Sequence, residues 1–279
     1  MSDAAVTSPA RGSAEPTSVA WAFLRRNPAV ARLGVVILAF VLWELAGHTV
    51  LDPNFLSPPS AIIQAMPRVL SDPGVQTALQ ASFIELVIAF VLAVVAGVVI
   101  GLPIGLSSFA RRATLPLVLL LYAIPQVTIL PLFVLYFGIG AGSKIAFGVS
   151  HGIFPIILNV VAGVQSVEAA HLTAARSMGA TKLQTIRRVV LPHMTPSLFT
   201  GLRLAMSGTL LGVLLAELYV STGGVGYYAR VFADSFDPPA TFTLVAMLAL
   251  MAVVLNETVR LAERRASFGA PTITERTWW

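Results

Sequence analysis

The chain has 279 residues, of which 56% are hydrophobic and 11% charged, with a net charge of +5 and no cysteine. A soluble domain carries about 25% charged residues, so this composition excludes a soluble globule, and its apolar content excludes a disordered or collagen-like chain. The missing cysteines exclude a disulfide framework, a thiolate zinc site, an iron–sulfur cluster and a cysteine nucleophile.

Residues 1–24 are rich in Ala, Ser, Pro and Thr without periodicity, and read as a disordered cytoplasmic tail. A helix that crosses the hydrocarbon core needs about 20 apolar residues. Six segments meet this: Leu33–Val50, Phe83–Leu106, Leu115–Phe137, Ile145–Val164, Leu198–Val220 and Phe242–Val259. The chain therefore divides into a first transmembrane helix at 25–50, an external connector at 51–80, a five-helix core at 81–265 and a closing cytoplasmic tail at 266–279. Within the connector, Ala61–Leu70 has the pattern of a short amphipathic helix started by Ser60. The fold class is all-α, polytopic, with about six transmembrane helices.

Fourteen of the eighteen basic residues fall in one set of loops; Arg68, Lys144 and Arg230 fall in the other, and Arg203 at a helix end suits snorkelling. The positive-inside rule then places both termini in the cytoplasm of a multi-pass protein of the cytoplasmic membrane. The same distribution, in short loops, accounts for the basic net charge without nucleic acid.

Between the fourth and fifth spans, residues 167–192 are polar and basic, longer than an ordinary connection. Apolar and small residues recur at Ala169, Leu172, Ala175, Ala180, Leu183, Ile186 and Val190. Gly179 suits a helix C-terminus and Thr181 a helix start, so two short helices joined by a glycine turn are expected. Such a loop is either an interfacial linker or a docking site for another protein.

Glu44, Glu85 and Glu217 are expected toward the outer ends of their helices, facing the interface, with Glu217 the exception that could serve an external gate. Pro103, Pro116, Pro125, Pro131 and Pro155, with Gly97, Gly101, Gly105, Gly138 and Gly148, either bend and pack helices or, with Gln126 and Asn159, line a polar route. The four histidines lack a second ligand at i+3 or i+4, so no metal site is expected. No Walker A run, nucleophile elbow or HExxH motif occurs, which leaves no cofactor and no catalytic residue.

Thr173-Ala174-Ala175, three residues, Gly179, nine residues, Val189, one residue and Leu191-Pro192 resembles the cytoplasmic EAA loop of ABC-type importer permeases. Thr173 stands where that family usually has Glu, and Val189 where it has Ile. Glu168-Ala169-Ala170 spells the motif at the wrong spacing. The resemblance extends over about residues 80–265: Ile124-Pro125, Leu130-Pro131, Phe137-Gly138-Ile139-Gly140, Ser143-Lys144, Phe154-Pro155-Ile156 with Asn159, Leu202-Arg203-Leu204-Ala205, Ala216-Glu217 and Gly223-Gly224-Val225-Gly226-Tyr227 are similar to the sulfonate, taurine and nitrate branch. Glu85 departs from the Arg common there.

The resemblance implies a type I ABC importer permease fold and a permease subunit, not an enzyme, that translocates a small organic or inorganic anion. It implies separate ABC ATPase subunits, an extracytoplasmic solute-binding protein and a second permease copy, in a lipid bilayer. It assigns ATPase coupling to Thr173, Ala174, Ala175, Gly179, Ala180, Leu191 and Pro192, with Gln126, Asn159 and Glu217 as pathway candidates. The competing reading is a secondary transporter or channel without an ATPase, which requires inverted repeats or a buried ion-coupling pair; neither is visible in the sequence. An intramembrane enzyme would require a catalytic constellation that is absent.

Overall fold

The structure, a computed structural model, describes residues 28–49 and 56–266. The tail read at 1–24, the start of the connector, and the closing tail after Ala266 lie outside the described residues. The chain forms two compact units, Met1–Ala61 and Ile62–Trp279.

In the first unit, α1 (Pro28–Thr49) exposes Leu33, Val36, Ile37, Phe40 and Leu45. A helix apolar all round suits lipid or another helix. Glu44 accepts hydrogen bonds at both oxygens: Oε2 from the Ser60 N–H at 3.0 Å and Oε1 from His48 Nε2 at 3.0 Å. The expected interfacial carboxylate is therefore tied into its own unit. Ser60 does not cap the next helix as expected; α2 (Pro59–Leu70) starts one residue earlier.

The second unit is built on three long helices. α3 (Pro73–Leu106) begins inside the segment read as a connector. Asp72 caps it, its Oδ1 accepting from the Gly74 and Val75 N–H groups, and Pro73 follows at a position that needs no N–H. Ser107 ends α3 and caps α4 (Ser108–Ala123) through the Ala110 N–H.

The third expected span, 115–137, is broken. α4 stops at Ala123, a 3-10 turn covers Gln126–Ile129 and leads into α5 (Leu130–Phe137), and the segment Gln126–Phe137 lies at 84° to α4. Pro125 has no N–H to continue the ladder, and it holds Ile124 in an extended conformation (φ −66°, ψ 131°). Among the described residues, five helices are long and apolar enough to cross a membrane, or six if α4 and α5 form one broken span.

α6 (Ala141–Gln165) packs along α3 on one side and along α8 (Lys182–Val220) on the other. The close approach is made by small residues. A Cβ at Gly97, Gly101 or Gly105 would lie 2.6, 3.1 or 2.9 Å from Ile156, Val160 or Val164, so the i, i+4, i+8 stripe of α3 rests directly on α6. Gly148 does the same toward Val213 of α8. Pro155 leaves the His151 carbonyl without its helical donor, and Gly208 of α8 lies against that carbonyl. For these residues the structure shows packing.

α7 (Ala169–Ser177) follows α6, and α9 (Val225–Asp234) and α10 (Pro238–Ala266) follow α8. Arg203 does not snorkel as expected; its guanidinium donates to Glu263 of α10.

Candidate functional site

The loop between α6 and α8 holds one surface of interest. Glu168 precedes α7, and Gly179 ends the turn after it at φ +75°, the left-handed region that favours glycine. Thr181 then starts α8 with a reciprocal capping box: its hydroxyl accepts from the Gln184 N–H, and the Gln184 side chain accepts from the Thr181 N–H. The second helix is not separate, as the sequence reading has it. It runs through a π turn, Ile186–Val190, into the long helix. The Leu191 N–H bonds to the Ile186 carbonyl, five residues back. Pro192 has no N–H for the Arg188 carbonyl, and the wider turn accommodates this.

Leu172, Val189 and Val190 pack with Val167 and Met194, which fixes α7 against the start of α8. Ala175 is buried beneath. Thr173, Ala174, Gly179 and Pro192 are exposed, Leu191 is marginally so, and Ala180 is half-buried. The Thr173 hydroxyl is used within its own helix, donating to the Ala169 carbonyl at 3.0 Å. Leu183, one of the residues of the recurring apolar pattern, stands 73% exposed, and Met178 is 81% exposed. Two large apolar side chains thus project beside a shallow surface of small residues. The loop also carries Arg176, Lys182, Arg187 and Arg188, none within 4 Å of an acidic group among the described residues. Small backbone-proximal residues, apolar projections and free cations suit contact with another protein's surface.

At the opposite end of the bundle lies a buried charge cluster. Glu85 is not at the interface as expected, being 7% exposed, and Glu217, set apart from that expectation, is 0% exposed. Lys144, read as a loop residue, is in the first turn of α6 and 4% exposed. Its Nζ is 2.7 Å from Glu85 Oε2 and 3.9 Å from Glu217 Oε1. Glu217 also accepts from the Ser82 hydroxyl at 2.5 Å and from the Gly226 N–H at 2.8 Å. The Ser82 hydroxyl accepts from the Val225 N–H at 2.9 Å. The Glu217 carboxyl group therefore sits at the N-terminus of α9, where the helix dipole favours negative charge. Arg230 of α9 does the converse, donating to the Leu218 carbonyl at 2.7 Å at the C-terminal end of α8.

The three pathway candidates do not converge. Gln126 begins the 3-10 turn of the break and accepts from Ser150 of α6 at 2.9 Å. Asn159 is half-buried, lies against Gly201, and donates to the Pro155 carbonyl at 2.9 Å. It is nine residues beyond Ser150, about 13 Å along α6. Glu217 has no exposed surface in this conformation.

Ser82 escaped the sequence reading, which placed Lys144 only in a loop and gave it no partner. A signal for them exists. Ala78, Ser82, Glu85, Ala89 and Ala93 recur at three- and four-residue spacing and all are buried. A carboxylate on such a stripe faces protein and requires a partner. The described residues contain no group of three or more His, Cys, Asp or Glu suited to a metal ion.

A family model described as "Binding-protein-dependent transport system inner membrane component" matches residues 93–267. The taurine transport system permease protein TauC of Escherichia coli (strain K12) is 30% identical over 236 residues, 83% of this chain and 86% of that protein. The formylaminopyrimidine transport permease protein ThiX of Halalkalibacterium halodurans is 30% identical over 218 residues, 78% of this chain and 87% of that protein. Among solved structures, a bacterial ABC transporter involved in import of the acidic polysaccharide alginate matches with a TM-score of 0.62 at 14% identity, covering 89% of this chain and 99% of that one. At that identity the likeness concerns the fold.

Proposed function

The chain belongs to the family of binding-protein-dependent transport system inner membrane components, and from that premise we propose that it carries a short sulfonate, taurine-like in chemistry, into the cell. It is a multi-pass membrane permease of an ABC importer. The similarity to the taurine permease over 83% of this chain is the observation that carries the choice of solute. The secondary-transporter reading required a buried charge pair. Lys144 and Glu85 are such a pair, so that criterion no longer separates the two readings; family membership does.

ATP is hydrolysed on a separate subunit in this proposal, since the chain has no phosphate-binding glycine loop. The exposed surface of Thr173, Ala174, Met178 and Gly179 receives that subunit. A solute-binding protein delivers the cargo at the opposite end, and a second copy of the chain completes the pathway. Both termini lie in the cytoplasm. The route runs past the break between α4 and α5. Ser150, which holds Gln126, is within a turn of the middle of α6. Irregular backbone at that depth is tolerated only against protein or in a water-filled cavity.

The test is uptake of labelled taurine by vesicles containing the permease, its ATPase and its binding protein. ATP-dependent accumulation that excess methanesulfonate competes away supports the proposal. Competition by a formylaminopyrimidine instead, with none by sulfonates, assigns the cargo of the second relative. Uptake that persists without the ATPase overturns ATP coupling.

A further inference from the structure

Glu85 of α3, Lys144 of α6 and Glu217 of α8 are the buried ionic centre of the bundle end opposite α7. The cluster holds two carboxylates and one ammonium. The Ser82 hydroxyl and the Gly226 N–H meet part of the surplus negative charge. Neither is a full cation, so Lys144 is the member whose loss leaves buried acids without a counter-charge. Lys144 also donates to the Gly223 carbonyl at 3.4 Å. That carbonyl belongs to the tight loop into α9, which Ser221 braces by accepting from the Gly223 N–H at 3.1 Å. One ammonium therefore touches α3, α8 and the loop that carries α9, while standing on α6.

The two carboxylates are at unequal distances, 2.7 and 3.9 Å, and on different helices. A relative shift of α3 and α8 can pass the ammonium from Glu85 to Glu217 without leaving it unpaired in a low-dielectric interior. We infer that Lys144 is the positioning residue of a latch: it clamps α3, α8 and the α9 loop together, and this end of the permease opens only as the ammonium changes carboxylate. The inference rests on the importer reading, because it gives the latch a cycle to act in. It concerns coupling, since Lys144 is buried and the contacts of its ammonium lie within the chain.

The test uses the full complex of permease, ATPase and binding protein in vesicles, with Glu85→Gln, Lys144→Met and the double variant. Three quantities are measured: yield of assembled complex, ATPase rate without binding protein, and the stimulation ratio on adding loaded binding protein. Lys144→Met is expected to lower the yield about ten-fold, because it strands both carboxylates. The double variant, with one carboxylate and its two remaining donors, is expected to return to within about two-fold of the wild-type yield. Its unstimulated ATPase rate rises several-fold and its stimulation ratio falls toward one, because the latch is gone. Glu85→Gln leaves Lys144 only Glu217, so no exchange is possible: it is expected to assemble, with its unstimulated ATPase rate raised and its stimulation ratio falling toward one, and wild-type stimulation in this variant overturns the exchange. A double variant no better assembled than Lys144→Met overturns the charge argument. One with wild-type stimulation overturns the latch and leaves the cluster merely structural. A wild-type complex that shows no stimulation at all overturns the importer reading instead.

Discussion

The Ser82 hydroxyl donates to Glu217 across 2.5 Å, joining α3 to α8 between residues 135 apart in the chain. The same oxygen accepts from the Val225 N–H, so one hydroxyl serves a buried carboxylate and the first turn of α9. Ser82→Ala leaves both without that partner, and each buried unsatisfied group costs about 1–3 kcal/mol. The expected outcome is a melting temperature several degrees lower in detergent, with Ser82→Thr close to wild type. An unchanged melting temperature for Ser82→Ala would show that the hydroxyl contributes nothing net.

Close packing along α3 and α6 leads to a second prediction. A Cβ at Gly97 would sit 2.6 Å from both Cβ and Cγ2 of Ile156, atoms of a branched side chain that cannot swing aside. Gly97→Ala is expected to destabilise the protein by about 1–3 kcal/mol through overpacking, despite the better helix propensity of Ala. Gly34→Ala in α1 is the control, because no atom lies within 4 Å of its Cβ position. Thermal unfolding of the two variants should move in opposite directions or leave Gly34→Ala unmoved. Equal stability of both would mean that α3 and α6 are less closely packed than described.

The spans were legible because length and apolarity alone select a transmembrane helix. The break at Ile124-Pro125 was not, because a proline within an apolar run only kinks a helix in many cases, and the 84° turn depends on what packs around it. The glycine turn and the Thr181 cap were legible, because φ above zero and side-chain capping are local requirements. The long continuation of α8 through Ile186–Val190 was not, since a π turn has no periodicity of its own. The charge cluster was the largest omission. Glu85, Lys144 and Glu217 lie on three helices, and no spacing within one helix reveals a partner on another. Hydropathy placed each near a helix end, where an interface is the ordinary environment. It could not tell a protein-facing side from a lipid-facing one.

Gly179 distinguishes folding from docking. Its φ of +75° disfavours most side chains, yet its Cβ position has open space around it. Asn and Asp enter this backbone region more readily than other residues, so Gly179→Asn and Gly179→Asp should both fold. If an ATPase approaches the backbone here, both are expected to lose most ATP-driven uptake while retaining normal membrane insertion. Normal assembly with the ATPase and normal uptake in Gly179→Asp would remove this residue from the docking surface.

Met178 and Leu183 give the last prediction. They are 81% and 73% exposed, flank the Gly179 turn, and belong to none of the core clusters. Truncating either side chain removes little packing within this chain, so Met178→Ala and Leu183→Ala should leave thermal stability nearly unchanged. A partner that covers them loses apolar contact worth about 25 cal/mol for each Å² removed from water, and exposed apolar anchors at an interface centre carry a disproportionate share of affinity. The double variant is expected to weaken ATPase association about ten-fold or more, measured by co-purification and by the ATPase concentration needed for half-maximal uptake. Contact with lipid in place of a protein would leave association unaltered and reduce vesicle insertion instead. The two outcomes separate a docking loop from an interfacial linker, the alternatives that the sequence pattern of 167–192 leaves open.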